Sequence, residues 1–155
     1  MQTINTANTN EARKQIDSLS KDNEKVVVIS QLDDEFNRKI LENKKVDMFV
    51  LNEDLKIKDY MKQRNSQLNE ILCKLAVKNN IIIGVEIEKI VKKSDIEKAK
   101  SLARLRQNIM LCKKSKCNLI CYAKNLDKNK KELQSLILTL GGSTKQAKDF
   151  FQESF

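Results

Sequence analysis

The 155-residue chain has no histidine, no tryptophan and no proline, and only three glycines. Without histidine it lacks the commonest general base, the usual proton carrier near neutral pH and the commonest metal ligand. Three glycines are too few for a loop that wraps its backbone around a phosphate, and none of the patterns GxGxxG, GxxxxGK[ST] or GxSxG occurs. With five phenylalanines and two tyrosines, an aromatic platform for successive bases is not the expected way of holding nucleic acid. No apolar run reaches the roughly 18 residues a membrane span needs, and the polar opening MQTINTANTN does not read as a secretory leader. The expectation is a cytoplasmic protein without a membrane partner. The missing proline accompanies heavy use of Lys, Asn and Ile and carries no functional meaning.

What the chain has in excess is positive charge. Thirty Lys and Arg against twenty-one Asp and Glu leave a net charge of +9 and a pI near 9.4. Such a balance favours an anionic partner, with plain solubility as the other reading. Four cysteines, Cys73, Cys112, Cys117 and Cys121, are expected as free thiols in a reducing compartment. The last three form a C-x4-C-x3-C run. Zinc sites usually carry tight C-x2-C pairs, and Cys121 lies inside an apolar strand pattern, so the thiols read as small buried hydrophobes and no metal is expected.

Along the chain, apolar runs alternate between two periods. A short strand at Met1 to Asn5, then KVVVIS, VDMFVL, IIIGVEI and NLICYA, read as buried strands. Between them NTNEARKQIDSLSKD, DDEFNRKILENK, SQLNEILCKLAVKN and a long segment from Asp95 to Lys114 read as helices. KKELQSLILTLGG and TKQAKDFFQESF close the chain as two more helices. The charged stretch from Asn52 to Asn65 is the longest interruption and reads as a loop. Gly84 inside its strand suggests a bend or a close backbone approach, or simply a packing glycine. This alternation predicts βαβ units in a parallel sheet of about five strands, in one domain spanning residues 1–155. Five are too few to close an eight-stranded barrel, so the predicted fold is α/β, an open sheet or an incomplete TIM-barrel-like array of (βα) repeats.

Acids at strand ends are candidates for metal-assisted chemistry, because sites of parallel α/β proteins gather there. They are Asp33 and Asp34, Glu53 and Asp54, and Glu86 and Glu88. Asp33 and Asp34 also suit a helix cap, and Glu53 and Asp54 a solvated loop. A metal-dependent phosphoesterase or nuclease using Asp33, Asp34 or Asp47 is the alternative function. The basic residues are better ordered. Lys100, Arg104, Gln107 and Lys114 recur at helical spacing while Ile96, Leu102, Leu105 and Ile109 take another face, and Lys113, Lys116, Lys124, Lys128, Lys130 and Lys131 follow. That stripe reads as a surface for RNA or DNA phosphates, or as a solvated helix face.

Four segments taken together, NRKILENKKVDMFV, RNSQLNEILCKLAVKNNIIIGVEI, ARLRQNIMLCKKSKCNLICYA and KELQSLILTLGGSTKQAKDFF, resemble protein component 3 of archaeal ribonuclease P, a relative of the thirty-kilodalton subunit of the eukaryotic enzyme. The likeness runs from about residue 24 to 152 and rests on order and spacing, through positions such as Asn37, Glu42, Asp47, Leu68, Asn69, Asn80, Asn108, Leu140 and Gln146. The resemblance implies a barrel-like (βα) fold in a ribonucleoprotein endonuclease that removes the 5′ leader from precursor tRNA. Catalysis there belongs to the RNA subunit and its magnesium, so no cofactor bound by the protein and no independent activity are expected. The implied partners are ribonuclease P RNA, protein component 2 and the other protein components, with a dimer of heterodimers among the assemblies the family allows. With the basic stripe, it nominates Arg38, Lys39, Arg64, Lys78, Lys100, Arg104, Arg106, Lys113, Lys114 and Lys124 as RNA contacts. The chain departs from the family where Gln67 replaces a glycine, Glu70 a histidine, and Glu88 and Lys89 an Arg-Pro pair. Relative to the family it is expected to begin two (βα) units late, which implies an incomplete barrel unless another chain or a separately made fragment completes it.

Overall fold

Strands form where β-branched and apolar residues run together, and several of the helices that alternate with them begin where an Asn, Asp or Ser side chain caps the first turn. The computed structural model describes residues 2–122 and 130–151. The elements are β1 (Gln2–Ile4), α1 (Thr9–Lys21), β2 (Val26–Ile29), α2 (Asp34–Leu41), β3 (Met48–Leu51), α3 (Glu70–Lys78), β4 (Ile82–Val85), α4 (Ile87–Lys92), α5 (Asp95–Ser115), β5 (Leu119–Cys121), α6 (Lys130–Thr139) and α7 (Thr144–Asp149). Asn8, Asp33 and Asn69 cap α1, α2 and α3 by accepting backbone N–H groups, and Ser143 and Gln146 form a reciprocal capping box on α7. At the other end of α5, Lys116 turns left-handed at φ 58° and the Cys117 N–H reaches back to the Cys112 carbonyl at 2.9 Å, closing the helix.

All five strands pair in parallel, as the alternation predicts, and their order in the sheet is β1-β2-β3-β4-β5. The sheet is strongly curved. A flat five-stranded sheet would hold its outer strands roughly 19 Å apart, yet the Thr3 hydroxyl on β1 lies 3.0 Å from the Tyr122 hydroxyl just past β5. The structure is thus a partial barrel whose outer strands approach each other across the concave side. The convex face buries the main core against the helices, including Ile16, Phe36, Phe49, Leu72, Ile83, Ile109 and Phe150. The concave face has a core of its own, Val27, Met48, Val50 and Ile120, flanked by Ile29, Ile82 and Tyr122.

Gly84 belongs to that inner face. A Cβ there would sit 3.0 Å from both the Met48 Sδ and a Val50 methyl, and 3.2 Å from the Tyr122 Cβ. Its role is the packing one: the missing side chain leaves room for its neighbours.

Three boundaries differ from the sequence reading. The α3 helix starts at Glu70 rather than Ser66, because Gln67 is left-handed (φ 64°) and Asn69 is the cap. IIIGVEI stops being a strand at Val85, and Ile87 opens the short unpredicted helix α4. The last helix ends at Asp149, so Phe150 and Phe151 pack edge to face with centroids 5.1 Å apart, inside the core. Among the described residues no helix is long and apolar enough to cross a membrane.

Candidate nucleic-acid interface

The acidic candidates do not converge. Asp33 caps α2, and Asp34 accepts from the Tyr60 hydroxyl at 3.4 Å. Asp47 lies at the opposite end of the sheet, before β3, where it accepts the N–H of Val26 at 2.8 Å at the start of β2. Glu53, Asp54 and Glu86 are held by lysines: Lys93 reaches Glu53 at 2.7 Å, and Lys89 bridges Asp54 at 2.5 Å and Glu86 at 2.8 Å. Among the described residues no group of three His, Cys, Asp or Glu side chains is placed to hold a metal. The hydrolase alternative therefore loses its site, since its three named acids sit at two ends of the sheet and each serves a local structural bond.

The basic stripe on α5 divides into two edges with different tasks. On the inner edge, Arg104 donates to the Ile57 carbonyl and to the Asp59 carboxylate, each at 3.1 Å, with its side chain only 12% exposed. Gln107 donates to the Arg64 carbonyl and the Ser66 hydroxyl, both at 3.0 Å, and the buried Asn108 donates to the Ser66 carbonyl. Lys114 pairs with Glu70 at 3.1 Å, and Lys100 with Glu97 at 2.9 Å. Arg104, Gln107 and Asn108, together with Lys89 and Lys93, strap the 52–69 loop down, while Lys100 and Lys114 are taken by Glu97 on α5 itself and by Glu70 on α3. Arg104 is a loop anchor rather than a free cation, which corrects the reading of a single basic face.

Asp59 records the anchoring electrostatically. Burial pushes its carboxyl up, but the Asn65 N–H and the Arg104 and Arg64 guanidinium groups outweigh that, so its pKa lies below the ordinary aspartate value.

The outer edge of α5 is different. Arg106 and Lys113, seven residues apart and hence on one side of the helix, are exposed and have no acid partner among the described residues. Lys113 leads into a cleft of about 410 Å³ beside α7, lined also by Lys116 and Lys145 against the single carboxylate of Asp149. Lys78 at the end of α3 is likewise exposed and unpaired among the described residues. Three other predicted contacts are exposed or half-exposed but paired: Arg38 with Glu42 at 2.9 Å, Lys39 with Glu35 at 2.5 Å, and Arg64 with Asp59 at 3.8 Å. Lys124 and Lys128 lie outside the described residues.

The cysteines are buried and unbridged. Their sequence run is not their spatial grouping. Cys112 and Cys117 have Cys73 from α3 as their thiol neighbour, and the thiol neighbours together with burial push the Cys112 thiol up, so that it stays protonated. Cys121 stands apart, and burial pushes its thiol up to about 11. Sequence spacing alone could not bring Cys73 into the group, because the contact runs through the packing of α3 on α5.

No family model matches the chain, and no curated protein does. A solved structure does. The chain superposes on a protein chain of the cryo-EM structure of archaeal ribonuclease P with mature tRNA, with a TM-score of 0.75 and 20% identity. The match covers 96% of this chain and 62% of the other. What the two share is a fold. This chain spans about three-fifths of its neighbour's length.

Proposed function

We propose that the chain is an RNA-binding protein subunit of a ribonuclease P-type ribonucleoprotein, acting in removal of the 5′ leader from precursor tRNA. The observation that carries this reading is the superposition of 96% of the chain on a protein from an archaeal ribonuclease P complex. Two features of the chain support it. Its surplus of nine positive charges suits a polyanionic partner, and its scattered, locally bonded acids suit a protein that leaves the chemistry to another component.

In the finer form of the proposal, the chain plays the part of protein component 3, pairs with protein component 2 and works in the cytoplasm. Magnesium belongs to the RNA, and the protein contributes position and charge. Each phosphate that Lys78, Arg106, Lys113 or Lys116 neutralises releases condensed counterions, so binding is driven by ion release and weakens steeply with salt.

The decisive experiment is recovery of the native complex through this chain, with sequencing of the bound RNA and assay of the eluate on precursor tRNA. One dominant structured RNA together with 5′ cleavage is the expected result. An eluate holding no RNA, or unrelated fragments without cleavage, rejects the proposal.

A further inference from the structure

A second cleft, of about 570 Å³, opens between the strapped 52–69 loop, the start of α3 and the inner edge of α5. Its floor is apolar, made by Leu68, Leu72 and Leu111, and its rim carries Tyr60, Gln63, Arg64, Asn65, Asn69 and Gln107. Four of those six side chains are carboxamides, and three are oriented by bonds to the backbone. Asn65 and Asn69 each accept a backbone N–H, from Gln67 at 3.2 Å and Leu72 at 2.9 Å, which leaves their NH2 groups free to donate. Gln107 spends its NH2 on the Arg64 carbonyl and the Ser66 hydroxyl, which leaves its carbonyl oxygen free to accept. Tyr60, 49% exposed, is the one exposed aromatic ring among the described residues.

Charge decides what such a cleft can hold. The carboxylates of Asp34 and Glu70 stand on its rim against the single guanidinium of Arg64, so it offers no surplus for a phosphate. Oriented donors and an acceptor over an apolar floor, with one ring to stack on, suit an uncharged planar group with a hydrogen-bonding edge. Positive charge lies on the same loop instead, where Lys56, Lys58 and Lys62 are exposed without acid partners among the described residues.

We propose that this cleft receives a single unstacked RNA base, stacked on Tyr60 and held at its edge by Asn65, Asn69 and Gln107, while the loop lysines take the flanking phosphates. The RNA origin of the base rests on the function proposed above; the same chemistry would accept the base of a free nucleotide.

The test uses the full chain labelled with ¹⁵N and titrated with pentauridylate or with uridine 5′-monophosphate, alongside salt-matched binding of ribonuclease P RNA to Tyr60→Ala and Tyr60→Phe. The side-chain NH2 signals of Asn65 and Asn69 should move with the oligonucleotide at concentrations where the monophosphate leaves them in place. Tyr60→Ala should weaken oligonucleotide binding roughly 5- to 100-fold, with Tyr60→Phe near wild type. Unmoved amide signals, or a Tyr60→Ala protein that binds like wild type while ribonuclease P RNA still binds, reject the cleft and leave the RNA-binding function standing. Equal shifts with the monophosphate, in a chain that binds no ribonuclease P RNA, overturn the RNA source and the proposed function together.

Discussion

Gln67 combines two roles that usually fall to different residues. Its backbone is left-handed, a conformation that costs a side-chain-bearing residue about 1–2 kcal/mol. Its carboxamide, buried beside the ends of β2 and β3, accepts from the Ser30 hydroxyl and the Asn52 N–H and donates to the Asn52 carbonyl. The glycine that the family resemblance led one to expect there answers to the backbone alone; the glutamine adds a clasp between two strand ends. Gln67→Ala should therefore lose about 2–4 kcal/mol, since it keeps the strain and leaves buried partners unsatisfied. Gln67→Gly should lose about 1 kcal/mol less, and urea denaturation of the two variants would show whether that order holds. Gly84 makes the opposite case, because Gly84→Ala puts a methyl group against Met48, Val50 and Tyr122 and should cost about 1–3 kcal/mol by the same measurement. Sequence reasoning could name Gly84 as unusual but not choose between bend and packing, since the inner face of a curved sheet is set by strands far apart in the chain.

The 52–69 loop shows how an element can be charged in sequence and tightly held in structure. Its acids face the lysines of α4 and the loop that follows, and its carbonyls face Arg104, Gln107 and Asn108. Helical spacing correctly put Lys100, Arg104, Gln107 and Lys114 on one side of α5. It could not tell solvent from a packed loop on that side, because both satisfy polar side chains equally well. The anchoring should depend on pH in a definite sense. Asp59 has a folded pKa below its ordinary value of about 3.8, so it stabilises the fold fully above that value and the contribution disappears as pH falls through the lower, folded one. Wild type should thus lose more stability than Asp59→Asn between about pH 5 and pH 3, and parallel denaturation profiles for the two would refute the anchor. Arg104→Ala should release the loop at neutral pH, with faster amide exchange at Ile57 and Ser66 and a stability loss of about 1–3 kcal/mol, as suits a largely buried charged hydrogen bond.

Across the whole molecule, the parallel sheet and most of the helix alternation were legible because each strand is a short apolar run that has to be buried, and α1, α2, α3 and α7 begin at side-chain caps; the short α4, which has no side-chain cap, was missed. The two-sided use of α5 was not legible. That division has a consequence for binding, because the cations of the long helix are paired on its inner edge, while Arg106 and Lys113 on its outer one have no acid partner among the described residues. A net charge of +9 would lead one to treat all its cations as equivalent contributors to RNA affinity. The geometry says otherwise: Lys100 and Lys114 already sit against Glu97 and Glu70, and an RNA phosphate would have to compete with those carboxylates. Among the described residues Arg106 and Lys113 give up no such bond. If the chain binds ribonuclease P RNA as proposed, Arg106→Ala with Lys113→Ala should flatten the dependence of log affinity on log salt by about two units, close to one for each phosphate contact removed. Lys100→Ala with Lys114→Ala removes the same formal charge yet should leave that slope within about half a unit of wild type, because both lysines are already spent on carboxylates on the inner edge, and Glu70 keeps Lys74 as its partner. Equal slope changes for the two pairs would mean that RNA responds to total charge rather than to one edge of α5, and would remove the outer edge as the binding face.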